Sequence, residues 1–547
     1  MSSGDAAIAF RFKRNDTVGT ADAESDDQYL SSCFVATGDL DTLRDSLDPK
    51  RIIVGRTGSG KSALIRRLRE VEDNVIELPP QNLSLSYISN SDILKFFSAA
   101  GVNLDLFYQL LWKHVLTVEL LKYKYKINSE EQKRSFLSKL FESKKDKSKE
   151  DAIKYLSDWG EKFWDETEYR VKELTTKVES DLKASIGGSM AGIHLDASGG
   201  QKLTEEQKHE VIQRGRKVVN DIQIKQLADV IRLLSEDIFN DPQQKYFITI
   251  DGLDEQWVED ELRYSLIRAL IETVRSFQKI KSVKIVIALR LDLLNRIINA
   301  TKNSGFQEEK YSSLYLKLRW TRDQIWELLD KRIEKLVRKR YTTRAVKLLD
   351  VFPKQIEKTA FVDYLLARTF YRPRDAIIFV NGCLERAEER NLVTTHIISE
   401  AEGEYSRKRL IALQEEWGGT FPNLGAYAKI LEGQPHSFKL GALSQSTVEE
   451  FYYSILCDLD ESDPIQAAAN DYFLNGKGTL HAVLIKLFSV LYETGLVGLK
   501  PDSTTTTFWS YHLNEGPSIG SIKPSSSAYI HPSFWRVLGV RVPTKKG

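Results

Sequence analysis

Gly55-Arg56-Thr57-Gly58-Ser59-Gly60-Lys61-Ser62 lies between the apolar run Ile52-Ile53-Val54 and a helical pattern that starts at Ala63. The octapeptide fits G-x-x-x-x-G-K-[ST], and an apolar strand before it with a helix after it is the setting in which that spacing builds a phosphate loop. Glycines at these positions let successive backbone N–H groups turn inward around an anion at a helix N-terminus. The cradle is therefore expected to run over Gly55, Thr57, Gly58, Ser59, Gly60, Lys61, Ser62 and Ala63. Lys61 would reach the β- and γ-phosphates, and the Ser62 hydroxyl would bind Mg²⁺.

A second motif downstream supports the first. Tyr246-Phe247-Ile248-Thr249-Ile250 reads as a buried strand and ends in Asp251-Gly252-Leu253-Asp254-Glu255. An acid at the C-terminal edge of such a strand can hold Mg²⁺ through its water shell opposite Ser62, which makes Asp251 the metal-side candidate. In many ATPases a glutamate directly after that aspartate polarises the attacking water, but Gly252 stands there. The acid is then expected at Asp254 or Glu255, with Asp254 favoured, or at neither in a switch that binds ATP and hydrolyses it slowly; for Glu255, charge at a helix start is the plain alternative. Arg290 ends the next strand, Val283 to Leu289, at the edge that faces a ligand in a parallel sheet. It is a candidate for the γ-phosphate, against a salt bridge with Asp292.

Length and composition agree with a multidomain soluble protein. At 547 residues the chain exceeds one ordinary core. With 41% hydrophobic and 28% charged residues, and 78 Lys+Arg against 77 Asp+Glu, its formal net charge is +1. That balance does not point to nucleic acid or an anionic membrane. Cys33, Cys383 and Cys457 are widely spaced, which indicates neither a disulfide framework nor a zinc site. With no signal-peptide pattern and no apolar run long enough to span a bilayer, a cytoplasmic protein without membrane contact is expected.

Alternating apolar strands and helices predict an α/β fold with a parallel sheet covered on both faces. The expected domains are an N-terminal cap over 1–46, a nucleotide core over 47–126 and 202–322, and a helical, Lys/Glu-rich insertion over 127–201. A helical lid over 323–415 and a C-terminal domain over 416–547 follow. Ser91 would cap a short helix through Phe97, the piece Ile186 to Gly200 reads as a flexible turn, and helical periodicity resumes from Thr204 to Phe239. In the lid, Pro373 suits the first turn of a helix, so Arg374 could close over the phosphates, with Arg372 its competitor. At the end of the chain a helix from Thr479 to Glu493, a turn at Gly495-Leu496-Val497-Gly498 and strand-like stretches at Thr505 to His512 and Ala528 to Ile530 suggest a winged helix. Lys486 is its helix's obvious phosphate partner, so protein contact is expected there rather than DNA readout.

Together, Gly55 to Ser62, Ile-Asp-Gly-Leu-Asp-Glu at 250–255, Ala-Leu-Arg-Leu-Asp at 288–292 and Arg-Pro-Arg-Asp at 372–375 resemble the bacterial P-loop ATPases related to the KAP, STAND and AAA+ groups. The resemblance covers about residues 20 to 415. It implies Walker A roles for Lys61 and Ser62, a Walker B role for Asp251, sensor roles for Arg290 and Arg374, and a core of strand order 5-1-4-3-2. It also implies a helical lid and often a place in defence against phage. With no N-K-x-D sequence to specify guanine, the cofactors expected are ATP and Mg²⁺. The leading expectation is an ATPase, slow or partner-stimulated, that acts as a regulatory switch controlling its own homo-oligomeric assembly or a protein effector. The alternatives are a DNA-acting ATPase of the loader type and an ATP-dependent scaffold with little turnover.

Overall fold

The structure is a computed structural model that describes residues 10–82, 104–127, 155–156, 231–300, 307–341, 345–455, 463, 465–512 and 516–542. The helix expected from Ser91 lies outside the described residues. So do the insertion over 127–201, apart from Ile127, Tyr155 and Leu156, its glycine-rich piece, and the first part of the helical stretch from Thr204. The chain groups into two compact units. One comprises Gly38–Gly55 and Lys61–Leu318; the other comprises Met1–Thr37, Arg56–Gly60 and Arg319–Gly547.

The first unit is built on a five-stranded parallel sheet. In chain order its elements are α1 (Asp39–Arg44), β1 (Ile52–Gly55), α2 (Lys61–Val71), β2 (Val75–Glu77), α3 (Asp105–Tyr125), β3 (Tyr246–Ile250), α4 (Asp260–Phe277), β4 (Val283–Arg290), α5 (Leu291–Ala300) and β5 (Tyr315–Lys317). The strands lie in the order β2-β3-β4-β1-β5, which is the order 5-1-4-3-2 of a P-loop NTPase core. Every residue of β1 and β3 is buried, as parallel strands covered on both faces require. Pairing of Gly55 with Arg290 and of Ile250 with Ile287 brings the ends of β1, β3 and β4 to one edge. Helix α3 is apolar nearly all round and buries twelve side chains; Trp112 fixes it to α4 by donating to the Leu266 carbonyl at 2.8 Å. No helix among the described residues is long and apolar enough to cross a membrane.

The second unit is mostly helical. It holds α6 (Arg322–Arg340), α7 (Leu348–Val351), a small hairpin of β6 (Gln355–Ile356) and β7 (Thr359–Ala360), α8 (Phe361–Leu366), α9 (Pro373–Arg386) and α10 (Thr395–Trp417). Helix α6 starts at a capping box: Thr321 Oγ1 accepts from the Gln324 N–H at 3.3 Å and Gln324 returns a bond to the Thr321 N–H at 2.9 Å. The N-terminal segment packs on α6, where Arg332 donates to the Val18 carbonyl at 2.7 Å and pairs with buried Asp26 at 2.5 Å.

Beyond α10 come α11 (Leu424–Ala428), β8 (Ser437–Lys439), α12 (Gln445–Ile455), α13 (Gln466–Phe473), α14 (Leu480–Thr494), β9 (Val497–Lys500) and β10 (Ser527–Ile530). The three strands form an antiparallel sheet of order β8-β10-β9 beside α14, an arrangement like a winged helix. Two local expectations are corrected. The turn expected at Gly495 to Gly498 is a left-handed cap at Gly495, φ 90°, followed at once by β9. The strand expected over Thr505 to His512 is a single bridge from Phe508 to Leu499 and a 3₁₀ turn at Ser510–His512. Phe508 thus meets the outer edge of β9, while β8, some seventy residues earlier in the chain, pairs on the far side of β10.

Candidate phosphate-binding site

In the first unit β1 delivers the chain at the sheet edge, and α2 begins at Lys61, two residues earlier than its apolar pattern shows. Lys61 Nζ donates to the Gly55 carbonyl at 3.2 Å. Burial pulls its ammonium down to about 8, with Asp254 and Asp251 opposing that shift and Arg290 adding to it. The sheet edge thus places Lys61, Asp251, Asp254 and Arg290 within one electrostatic neighbourhood.

Gly252, φ 76°, follows Asp251, and its N–H donates to Asp251 Oδ1 at 2.9 Å. A Cβ there would stand 3.1 Å from Glu255 Oε1. The backbone conformation and the crowding together explain why no glutamate occupies this position. The turn closes with the Glu255 N–H donating to the Gly252 carbonyl at 3.1 Å, and Arg263 of α4 braces it by donating to the Glu255 carbonyl at 2.9 Å. The two acids of this turn have different partners. Asp254 pairs with Arg290 Nη1 at 3.2 Å, whereas the Glu255 carboxylate accepts from Gln81 Nε2. Arg290 also makes a two-pronged pair with buried Asp292, Nε–Oδ1 3.0 Å and Nη2–Oδ2 2.9 Å, and Arg296 shares that carboxylate at 3.0 Å. Gln81 was not singled out by its residue type, although it follows Pro79-Pro80 just beyond β2 at the same sheet edge.

The second unit carries the loop residues Arg56 to Gly60. Gly58 and Gly60 have φ of 77° and 95°, so both occupy the region that side chains avoid. Gly58 is confined further, since a Cβ would lie 2.7 Å from Arg374 Cβ and 2.9 Å from its Cδ. The Arg374 N–H donates to the Gly58 carbonyl at 3.3 Å and its Nε to the Ala21 carbonyl at 3.2 Å. Trp320 Nε1 donates to the Ser59 carbonyl at 2.8 Å, a contact no sequence signal announces. The hydroxyls of Thr57 and Ser59 are buried and have no partner. Such orphaned polar groups cost free energy unless something pairs with them; with two left-handed glycines beside them, they fit a phosphate. Arg372 is otherwise engaged: it is buried, pairs with Glu416 at 3.1 Å and lies 5.0 Å from the centre of the Phe370 ring. Of the two lid arginines, Arg374 is therefore the one against the loop.

The chain is 22% identical over 545 residues to a putative transposon gamma-delta 80.3 kDa protein of Escherichia coli K12, covering 95% of this chain and 67% of that one. Among solved structures, it is similar to a Walker-type ATPase of Pyrococcus abyssi at 12% identity and a TM-score of 0.35, over 93% of this chain and 96% of the other. It is also similar to the ORC2 protein of Aeropyrum pernix in its ADPNP and ADP complexes, at 12% identity and a TM-score of 0.31, over 89% and 91%. Residues 323–414, from α6 to α10, match the family described as the FunZ-associated C-terminal helical domain. The chain thus joins a five-stranded parallel sheet in the strand order of P-loop NTPases to a helical segment that matches the FunZ-associated family over residues 323–414.

Proposed function

We propose that this protein binds ATP with Mg²⁺ and hydrolyses it slowly, using the nucleotide to switch its own assembly or a protein effector. What supports this is the loop: two left-handed glycines, two buried hydroxyls without partners and a half-buried Lys61 among acids at the edge of a sheet of order 2-3-4-1-5. Kinship with the KAP, STAND and AAA+ groups, and a role in defence against phage, are part of the same proposal and rest on the motif set alone.

In this reading the amides of Thr57 to Ala63 hold the phosphates and Lys61 supplies the point charge. Ser62 and Asp251 hold Mg²⁺, which when bound neutralises charge on the β- and γ-oxygens. Asp254 accepts a proton from water as the water oxygen bonds the γ-phosphorus and the bond to the bridging oxygen breaks, releasing ADP and phosphate. Because Arg290 rests on Asp254, a γ-phosphate that draws the guanidinium away also frees the carboxylate. Glu255, held by Gln81, is the alternative acid. Arg374, backed against Gly58, would distinguish ATP from ADP and transmit the difference through α9. Titration of the protein with ADP and a non-hydrolysable ATP analogue tests the proposal. Lys61→Ala should abolish binding while the fold persists, and unchanged affinity would remove its basis.

The DNA-acting alternative draws on the antiparallel sheet beside α14 and on the transposon name of the Escherichia coli relative. Against it, Lys486 is the one Lys or Arg of α14. Strong stimulation of ATPase activity by duplex DNA would favour it, and tight binding without turnover would favour a scaffold.

A further inference from the structure

The second residue of the phosphate loop has a side chain that leaves the loop altogether. Arg56 Nη2 donates to the Thr494 carbonyl at 2.9 Å and to the Glu493 carbonyl at 3.3 Å, the last two residues of α14. Its guanidinium also lies 5.7 Å from the centre of the Trp417 ring at the end of α10. A helix leaves its last carbonyls without intrahelical partners and carries partial negative charge there. A guanidinium is thus a good cap for α14, and this one is covalently part of the phosphate cradle. All these residues belong to the second unit.

A separate observation converges on the same helix end. Phe370 and Tyr371, just before Arg372-Pro373-Arg374, have φ of 49° and 54°. Two consecutive bulky residues in the left-handed region hold only where the surroundings over-determine them. The surroundings come from the C-terminal part of the chain: the Phe370 ring stacks on His531 at 3.9 Å and 4°. His531 is buried, kept neutral by that burial, and its N–H donates to the Leu496 carbonyl at 2.9 Å. Gly495 fills the space between, because a Cβ there would be 3.1 Å from Arg56 Nη1 and 3.3 Å from Phe370 Cε1.

We infer that Arg56 is a positioning residue that ties the phosphate loop to the end of α14, and that the strained Phe370–Tyr371 turn ties the lid arginine to the same place. Phosphate held by the loop at residues 57–60 is thereby read at residues 491–497. This rests on the nucleotide reading above and adds the route by which the C-terminal module senses it. The effector surface is then the one that includes α14 and β9, rather than α9 alone.

Hydrogen exchange of the full chain, alone and saturated with ADP or adenylyl imidodiphosphate, tests this, with nucleotide binding measured separately by calorimetry. In the wild type, nucleotide should change exchange over 491–497 by about tenfold, within the usual range of coupling between sites. Arg56→Met should bind ADP within a few-fold of the wild type, exchange faster over 491–497 without nucleotide, and lose the nucleotide response there. Arg56→Lys, which still donates to the helix end, should restore most of it; a role in folding alone would not divide the two variants in this way. If the wild type binds no nucleotide, the functional reading fails and takes this inference with it. If it binds but 491–497 does not respond, or if Arg56→Met responds like the wild type, the inference fails and the functional reading stands. Should Arg56→Met be unfolded by circular dichroism, Arg56→Gln, whose shorter side chain falls short of the helix end, takes its place with the same expected loss.

Discussion

Replacing Gly58 by Ala puts one carbon where the loop has no room for it, and its cost can be worked out in two parts. Alanine at φ 77° pays for a left-handed conformation, ~1–2 kcal/mol. The new Cβ then meets Arg374 Cβ at 2.7 Å and Cδ at 2.9 Å. The Cδ can swing aside, but the Cβ is fixed to the first turn of α9, so overpacking adds roughly 1–3 kcal/mol. The total of about 2–5 kcal/mol must appear somewhere. If the loop keeps its shape, the second unit loses that much stability. If the loop relaxes, the phosphate-binding shape must be restored at binding, and ADP affinity falls by a factor of about 30 to about 4,000.

Denaturant unfolding and calorimetric titration, measured on the same protein, should therefore sum to that range whatever the division between them. Gly433→Ala is the control, because Gly433 has φ 64° but nothing within 4 Å of its missing Cβ. It should pay the conformational part alone and leave ADP affinity unchanged. The double variant Gly58→Ala with Arg374→Ala should recover only part of the loss, since the Cβ of residue 374 remains. A Gly58→Ala protein with ADP affinity within a few-fold of the wild type and stability within about 0.5 kcal/mol, the scatter of neutral surface changes, would refute the close approach of lid and loop.

Three further outcomes are expected. Asp251→Asn should impair Mg²⁺-dependent binding and turnover together, while Asp254→Asn spares binding and slows hydrolysis by about 10²-fold; if Glu255→Gln slows steady-state phosphate release more than Asp254→Asn does, the acid is Glu255. Arg374→Ala should keep ADP affinity but lose both the preference for ATP and any ATP-dependent assembly seen by light scattering, whereas Arg372→Met, which removes one partner of buried Glu416, should cost roughly 1–3 kcal/mol of stability without changing that preference. Lys284 of β4 is fully buried, donates to the Thr42 and Asp45 carbonyls, and is lowered from 10.5 to about 8, chiefly by burial and next by Arg51. Its charged form is penalised in the fold, so the penalty is complete below pH 8 and fades between pH 8 and 10.5. Denaturation of the wild type should show stability rising across that window by at most about 3 kcal/mol, and Lys284→Met should remove the rise.

Local features are legible in the sequence. The strand, loop and helix of residues 52–71, the acidic end of β3, Arg290 at the end of β4 and Pro373 at the start of α9 are carried by motif spacing and hydrophobic period within a few residues. Errors arose where pairing is non-local. Residues 495–498 read as a turn, yet Val497 and Gly498 open β9, since β10 supplies their partners from about thirty residues away. Likewise 505–512 reads as a strand, but it meets β9 only at Phe508, and the third strand of the sheet is β8, paired with β10.

The sequence by itself determined that a phosphate loop, an acidic strand end and a basic strand end exist, because each is written in contiguous residues whose chemistry does not depend on distant parts of the chain. Only the tertiary structure decided who faces whom. It paired Gly55 with Arg290 and Asp254 with Arg290, gave Glu255 to Gln81, and separated Arg374 at the loop from Arg372 in its buried pair with Glu416. It also sent Arg56, a variable position of the motif, to the end of a helix more than four hundred residues later. The physical reason is one of range: backbone conformation and side-chain period are set by neighbours in sequence, while sheet order, ion-pair choice and helix capping across the chain are settled by which burial and hydrogen-bond partners the whole fold can satisfy at once.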